Sequence, residues 1–245
     1  ALPAGATAPA VLGGWNPAPG ASLGGGREFF SPRGADAGAG VGKAPPNRYA
    51  YGPMTSTPVE VEIRDGVAVL RMDDGKANAL SPAMLTSLSV GLERAQAEAR
   101  AVVIAGREGR FCAGFDLKIM GSGPQAATEL VRTGCDFFMQ LYEHPQPVVL
   151  ACTGHAMAGG AVMLLCGDLR VGAAGEHRIG LNEVAIGLPM PAFVSELARD
   201  RLSRRAFQAA TVCATIYGPA EAAEVGYLDR VVPPEKVLEE AEAEA

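Results

Sequence analysis

The sequence predicts an α/β fold with largely parallel strand pairing, on three observations. From residue 59 onward, short β-branched runs alternate with longer segments of helical period. One alternating pair of runs joined by a glycine turn opens this region. Glycine-rich stretches then follow two of the apolar runs, where a strand hands over to a helix.

Taken in order, VEVEI (59–63), the turn Arg64-Asp65-Gly66 and VAVLRM (67–72) read as a β-hairpin. Ser81-Pro82 then opens an amphipathic helix reaching about Ala99, with serine as N-cap and proline at the first helical position. AVVIAG (101–106) is a short buried strand, residues 126–143 a helix, and PVVLACTG (147–154) a second buried strand. LRVGA (169–173) and RIGL (178–181) are further strand candidates. Helices are expected near 191–200, 203–213 and 219–225, and from Glu235 to the end. No internal repeat recurs at a fixed period.

The 245 residues suffice for one large domain or two small ones, and 48% hydrophobic with 20% charged residues is a globular composition. A net charge of −6 argues against a nucleic-acid surface, so any polyanionic ligand would need a local basic patch. The five cysteines (Cys112, Cys135, Cys152, Cys166, Cys213) are odd in number, with no C-x-x-C spacing, so neither a zinc site nor a disulfide framework is indicated. They read as buried small hydrophobes in a reducing, cytoplasmic setting. No apolar run approaches the ~20 residues of a membrane span, and the N-terminus lacks a signal-peptide layout.

Residues 1–53 hold 12 of the 31 glycines and 8 of the 18 prolines, a composition too poor in packable surface to offset its chain entropy. They are expected to form a flexible leader, with Met54 as a natural start; a linker or partner-binding tail is the alternative. Residues 54–245 are then the functional domain.

Three segments carry chemistry. Phe111-Cys112-Ala113-Gly114-Phe115-Asp116-Leu117 follows a strand and places a glycine where backbone approaches a ligand closely. Gly154-His155-Ala156-Met157-Ala158-Gly159-Gly160-Ala161 joins a strand to a helix N-terminus, which presents N–H donors and a dipole to an anion. Two such loops can supply the paired donors of an oxyanion hole. In Ile179-Gly180-Leu181-Asn182-Glu183-Val184-Ala185-Ile186-Gly187-Leu188-Pro189, the carboxylate of Glu183 sits among apolar neighbours, where burial suits it to proton transfer.

The order and spacing of these segments resemble the enoyl-CoA hydratase/isomerase (crotonase) superfamily over about residues 59–234. Phe111–Leu117 looks like its first oxyanion loop and Gly154–Asp168 its second. Gly218-Pro219-Ala220-Glu221-Ala222 and Gly226 to Pro233 resemble its later A-x-x-x-G-L-V-D-x-V-V stretch. The resemblance implies a crotonase-like spiral of ββα units, assembled as a homotrimer or dimer of trimers, that binds an acyl-CoA substrate. It implies oxyanion donors at the N–H groups of Phe115 and Gly159, and a substrate pocket drawing on Ala113, Asp116, Leu117, Gly160, Val162 and Leu188. No metal is expected, and no cofactor beyond the CoA of the substrate itself.

Two departures from the pattern matter. Hydratases of the family carry a glutamate where this chain has Val162 (or Met163, one register on), whereas Glu183 matches the second glutamate. Ile-Gly-Leu-Asn-Glu resembles Δ3,Δ2-enoyl-CoA isomerases, which use one glutamate there. The expected reaction is therefore isomerisation of a 3-enoyl-CoA, with 2-enoyl-CoA hydration as runner-up and a non-catalytic acyl-CoA binder as the third reading. The C-terminal helices also look short against the family pattern.

Other polar residues have bland readings. His155 reads as a supporting or surface histidine, His144 and His177 as surface, and Asp168 as a structural hydrogen-bonding group. Asp116 also has a loop-organising reading. Lys118 and Arg110 are solvated charges or contacts for CoA phosphates. The acidic stretch Glu235–Ala245 reads as a solvated helix or frayed end.

Overall fold

A computed structural model of the protein describes residues 57–245. The expectations of a leader over 1–53 and a start at Met54 lie outside the described residues.

The hairpin forms as expected: β1 (Val59–Arg64) pairs antiparallel with β2 (Val67–Met72). Helix α1 (Pro82–Glu98) starts at Ser81, whose hydroxyl accepts the Met84 N–H, and proline fills its first turn. Such a cap contributes about 1 kcal/mol. Three ββα turns follow. The first is β3 (Ala101–Ala105), β4 (Gly109–Cys112), the short α2 (Leu117–Met120) and α3 (Pro124–Tyr142). The second is β5 (Val148–Cys152), β6 (Gly154–Met157) and α4 (Gly159–Cys166). The third is β7 (Leu169–Ala173), β8 (Ile179–Gly180) and α5 (Ala192–Arg201). Helices α6 (Ala206–Thr211) and α7 (Pro219–Val225), strand β9 (Arg230–Val232) and helix α8 (Val237–Glu244) close the chain.

The first strand of each turn joins a six-stranded sheet of order β1-β2-β3-β5-β7-β9, parallel from β2 onward. The second strands form a separate parallel sheet, β4-β6-β8. This is the crotonase-like spiral. Strands β3 and β5 are buried at every position because both faces of the large sheet are covered. Val102, Ile104 and Leu150 face the helices, while the alternate residues Val103, Ala105, Val149 and Ala151 pack beneath α8.

That second layer corrects the reading of the acidic tail. In α8, Val237 and Ala241 stand one turn apart and are fully buried against the sheet. Its glutamates point outward, Glu242 to Arg64 and Arg71, and Glu240 and Glu244 to Arg230. The cysteine reading also needs amending. Cys112, Cys152 and Cys166 are buried, but Cys135 is half-buried and Cys213 exposed; all are free thiols. Burial pushes the Cys112 and Cys152 thiols up to about 12, so neither is a ready nucleophile. His144 and His177 are half-buried rather than on the surface. No helix among the described residues is long and apolar enough to cross a membrane.

Candidate active site

The small sheet positions all three chemical segments. Its strands β4, β6 and β8 are adjacent and parallel, so the chain leaves each at the same end. The segments of Phe115, Gly159 and Glu183 follow those three carboxyl ends, where ligands gather in parallel sheets.

The first loop is braced from behind by residues 77–80. Ala113 N–H donates to the Ala77 carbonyl (3.1 Å), Leu80 N–H to the Gly114 carbonyl (2.8 Å), and Asp116 N–H to the Leu80 carbonyl (3.3 Å). Asn78 is fully buried and fastens this brace: its amide donates to the carbonyls of Met72, Arg110 and Phe111. The Phe115 ring is anchored against Gly134 and tilts onto Phe138, 6.2 Å between centroids. Its N–H makes no hydrogen bond among the described residues.

The second loop turns sharply at Ala158, whose φ of 49° and ψ of −120° are unusual for a residue with a Cβ. Ala158 N–H donates to the Gly180 carbonyl (3.0 Å), and Val162 N–H closes the first helical turn on Ala158 (3.0 Å). Gly159 is the first residue of α4, so its N–H has no partner within the helix and sits at the positive end of the helix dipole. Gly114, with φ +85°, occupies the equivalent place in the first loop, immediately before Phe115. In both loops a left-handed residue thus precedes the free N–H. The loops touch there: a Cβ on Gly159 would lie 3.4 Å from Gly114 Cα and 2.8 Å from Leu80 Cδ1. Gly160 packs on the β4 backbone, with no room for a Cβ beside the Cys112 carbonyl.

Glu183 follows β8 and begins a 3-10 turn over Val184–Ile186 that ends at Gly187 in the left-handed region. Its backbone carbonyl accepts from Ile186 and Leu188. The side chain is half-buried, and one carboxylate oxygen is buried without a hydrogen-bond partner. Burial pushes its carboxyl above the ordinary range, with the backbone of Glu183 and Asn182 pulling partly back. Such a group gains and loses a proton more readily near neutrality than a solvated glutamate.

The remaining expected residues fall into distinct places. Val162 is 2% exposed in a helix whose eight residues are all buried, so α4 offers no carboxylate. Asp116 caps α2 by accepting the Lys118 and Ile119 N–H groups, its loop-organising role. Asp168 is structural, accepting the Val148 N–H. Leu117, Ala113 and Leu188 are exposed. Sequence reasoning missed Asn78, whose polar side chain between two alanines was its only visible signal. It also passed over Tyr227, a fully buried phenol with an unpartnered hydroxyl; Glu183 is among the groups raising its pKa, after burial. Among the described residues no three His, Cys, Asp or Glu side chains gather as a metal site.

The comparisons with known proteins show the family and the fold. A family model described as enoyl-CoA hydratase/isomerase matches residues 62–245. The mitochondrial enoyl-CoA delta isomerase 1 of Mus musculus is 32% identical over 188 residues, which is 75% of this chain and 65% of that protein. The chain thus spans just under two-thirds of the length of that relative. The structure of human mitochondrial delta3-delta2-enoyl-CoA isomerase superposes with a TM-score of 0.73 at 32% identity, over 76% of this chain and 75% of the other. An enoyl-CoA hydratase from Mycobacterium ulcerans superposes equally well, at 0.73 and 41% identity, over 76% of this chain and 82% of the other.

Proposed function

The chain belongs to the enoyl-CoA hydratase/isomerase family, and from that premise we propose that it isomerises a 3-enoyl-CoA to the 2-enoyl-CoA with Glu183 as its one proton carrier. The observation that carries this reading is a half-buried Glu183, one carboxylate oxygen of which is buried without a hydrogen-bond partner, in a chain whose α4 has the apolar, buried Val162 and no carboxylate. Water addition across a double bond is best served by two acid/base groups, and α4 supplies none.

In the proposed cycle the thioester oxygen accepts the N–H groups of Phe115 and Gly159. Glu183 takes a proton from C2, and the electron pair delocalises over the carbonyl and the C3–C4 double bond as a dienolate. Negative charge grows on the oxygen, where each donor contributes about 3–4 kcal/mol of barrier lowering. Glu183, now a neutral acid, returns its proton at C4, leaving the double bond between C2 and C3. The raised pKa of Glu183 supports this role, since protonating it midway then costs little. The turn at Ala158 supports the role of Gly159, since a residue with a Cβ held at φ 49° by a tight loop is the kind of strain found at preorganised sites.

Incubation with 3-enoyl-CoA and 2-enoyl-CoA, following isomerised and hydrated products separately, tests the reading. Isomerised product from the first substrate and little hydration of the second is the expected result. Efficient hydration without isomerisation would establish the hydratase alternative, and binding without either reaction a non-catalytic acyl-CoA binder.

A further inference from the structure

We propose that Tyr227 is a positioning residue for Glu183, its buried hydroxyl donating a hydrogen bond to the Glu183 carboxylate. The proposal rests on the proton-carrier role given to Glu183 above.

Tyr227 stands where the pattern A-x-x-x-G-L-V-D-x-V-V has leucine. The side chain is fully buried, so its ring fills the apolar place and its hydroxyl is a polar group added to the interior. Burying such a group is unfavourable unless it finds a partner. The hydroxyl meets no partner at ordinary hydrogen-bond geometry, and the Leu181 backbone is the polar group beside it. Leu181 lies two residues before Glu183, one of whose carboxylate oxygens is likewise buried and unpartnered. A donor without an acceptor and an acceptor without a donor thus meet at the same short segment.

The phenol is the fixed partner. Gly226, with φ +105°, closes α7, and the N–H groups of Gly226, Tyr227 and Leu228 all donate to the Ala222 carbonyl, at 3.1, 2.8 and 3.2 Å. The ring packs on Tyr217, 5.9 Å between centroids. Tyr217 in turn exchanges backbone hydrogen bonds with Ile179 of β8, at 2.9 and 3.0 Å. Tyr227 is therefore tied to the strand from which Glu183 emerges. The longer, more flexible Glu183 side chain is the partner that moves.

Burial holds the phenol well above its ordinary range, and Tyr217 and Glu183 add to this, so the hydroxyl keeps its proton and faces a carboxylate as a donor. No cationic side chain is among the groups acting on Glu183: burial raises its carboxyl, and only the backbone of Glu183 and Asn182 opposes this. Glu221 and Cys213, the other titratable groups here, act on Tyr217. A phenolic donor stabilises the ionised carboxylate and fixes its orientation. Asn182 Oδ1, also buried and unpartnered, is the rival acceptor.

Tyr227→Phe removes the hydroxyl and keeps the ring. In the full chain carrying isotope-labelled glutamate, the Glu183 carboxyl signal is the one that Glu183→Gln lacks, and NMR reads its titration. Tyr227→Phe is expected to raise that midpoint by about half a pH unit or more, and to lower kcat roughly tenfold with KM unchanged. A merely structural loss lets water in and lowers the midpoint instead. Tyr227→Leu, the residue of the family pattern, is expected to act alike and replaces the phenylalanine variant should that one not fold. A midpoint unmoved or lowered in a folded variant overturns the proposal and leaves the hydroxyl to Asn182. A raised midpoint in a protein that does not isomerise 3-enoyl-CoA upholds the contact and ends the carrier role. Isomerisation with an unmoved midpoint upholds the carrier role and ends the contact.

Discussion

A Cβ placed on Gly114 would lie 3.0 Å from the backbone nitrogen of Gly159 and 2.8 Å from Cβ of Ala158. The two candidate donor loops are thus in van der Waals contact through a residue that has no side chain to spare. Gly114→Ala adds both this clash and a left-handed strain at φ +85°. Because the obstacle is backbone, the loops must part to relieve it. Turnover is expected to fall by roughly two orders of magnitude, the scale of losing one oxyanion donor, while KM changes less. Steady-state kinetics and a melting curve on the same variant separate misalignment from unfolding.

Glu183→Gln should retain acyl-CoA binding and lose isomerase turnover by about two to four orders of magnitude. In the wild type the acid limb of the rate profile should lie above the ordinary glutamate range, since the base works only when ionised and burial raises its pKa. An acid limb at the value of a free glutamate would argue against Glu183 as the base.

The same carboxyl has a stability signature of definite sign. Its folded pKa is raised, so its contribution is most favourable below the ordinary glutamate pKa and is lost as pH rises through the folded value. Glu183→Gln should therefore melt higher than wild type at neutral pH, and the gap should close as the solution is acidified past about 4.5, the unperturbed value. Paired melts at neutral and acidic pH check this.

How much of this was legible beforehand depends on element length and burial. The hairpin, α1 and the buried strands β3 and β5 announced themselves because each has a strong period or a continuous apolar run. Strands β4 and β6 did not: each is four residues long, contains glycine, and pairs only within the small sheet. In the sequence alone they read as parts of loops. Half-buried β9, three residues long, was missed for the same reason. The ββα repeat left no fixed period because its first strands begin at residues 101, 148 and 169, unequal steps set by helices of different length. Glu183 stands out by its apolar neighbours, and Gly114 and Gly159 by their place in glycine-bearing loops after apolar runs, whereas Asn78 becomes visible only when distant strands are placed side by side.

Val162→Glu tests the missing second carboxylate. The site is 2% exposed, so the new charge is costly and the melting temperature should fall by several degrees. At a pH where the variant remains folded, measurable hydration of 2-enoyl-CoA is the expected gain. A stable variant with no hydration would show that opposing carboxylates alone are insufficient here.

Asp229→Ala probes the scaffold instead of the chemistry. Arg170 is 7% exposed and grips Asp229 with two side-chain bonds of 2.6 Å, while its N–H donates to the same carboxylate at 2.7 Å. Burial works against ionisation of Asp229, but Arg170 outweighs it and holds the carboxyl below its ordinary range. Removing it leaves a buried guanidinium uncompensated, a loss of about 3–5 kcal/mol. The wild-type contribution is present above the unfolded aspartate pKa and fades as pH falls through the lowered one, so the difference between the proteins should shrink in acid. Denaturant titration at two pH values measures it.

Because Phe115, Gly159 and Glu183 each follow the second strand of a different turn of the spiral, no single turn carries all three residues of the proposed site. Refolding should then recover its signals in sequence: helical dichroism as individual turns form, and thioester binding only when β8 has docked beside β6. The closures required span long stretches of chain, which places that last step among the slower events of the reaction. Ligand binding is in this sense a reporter of the final docking event, and a substrate added during refolding acts on the state in which all three turns are already stacked.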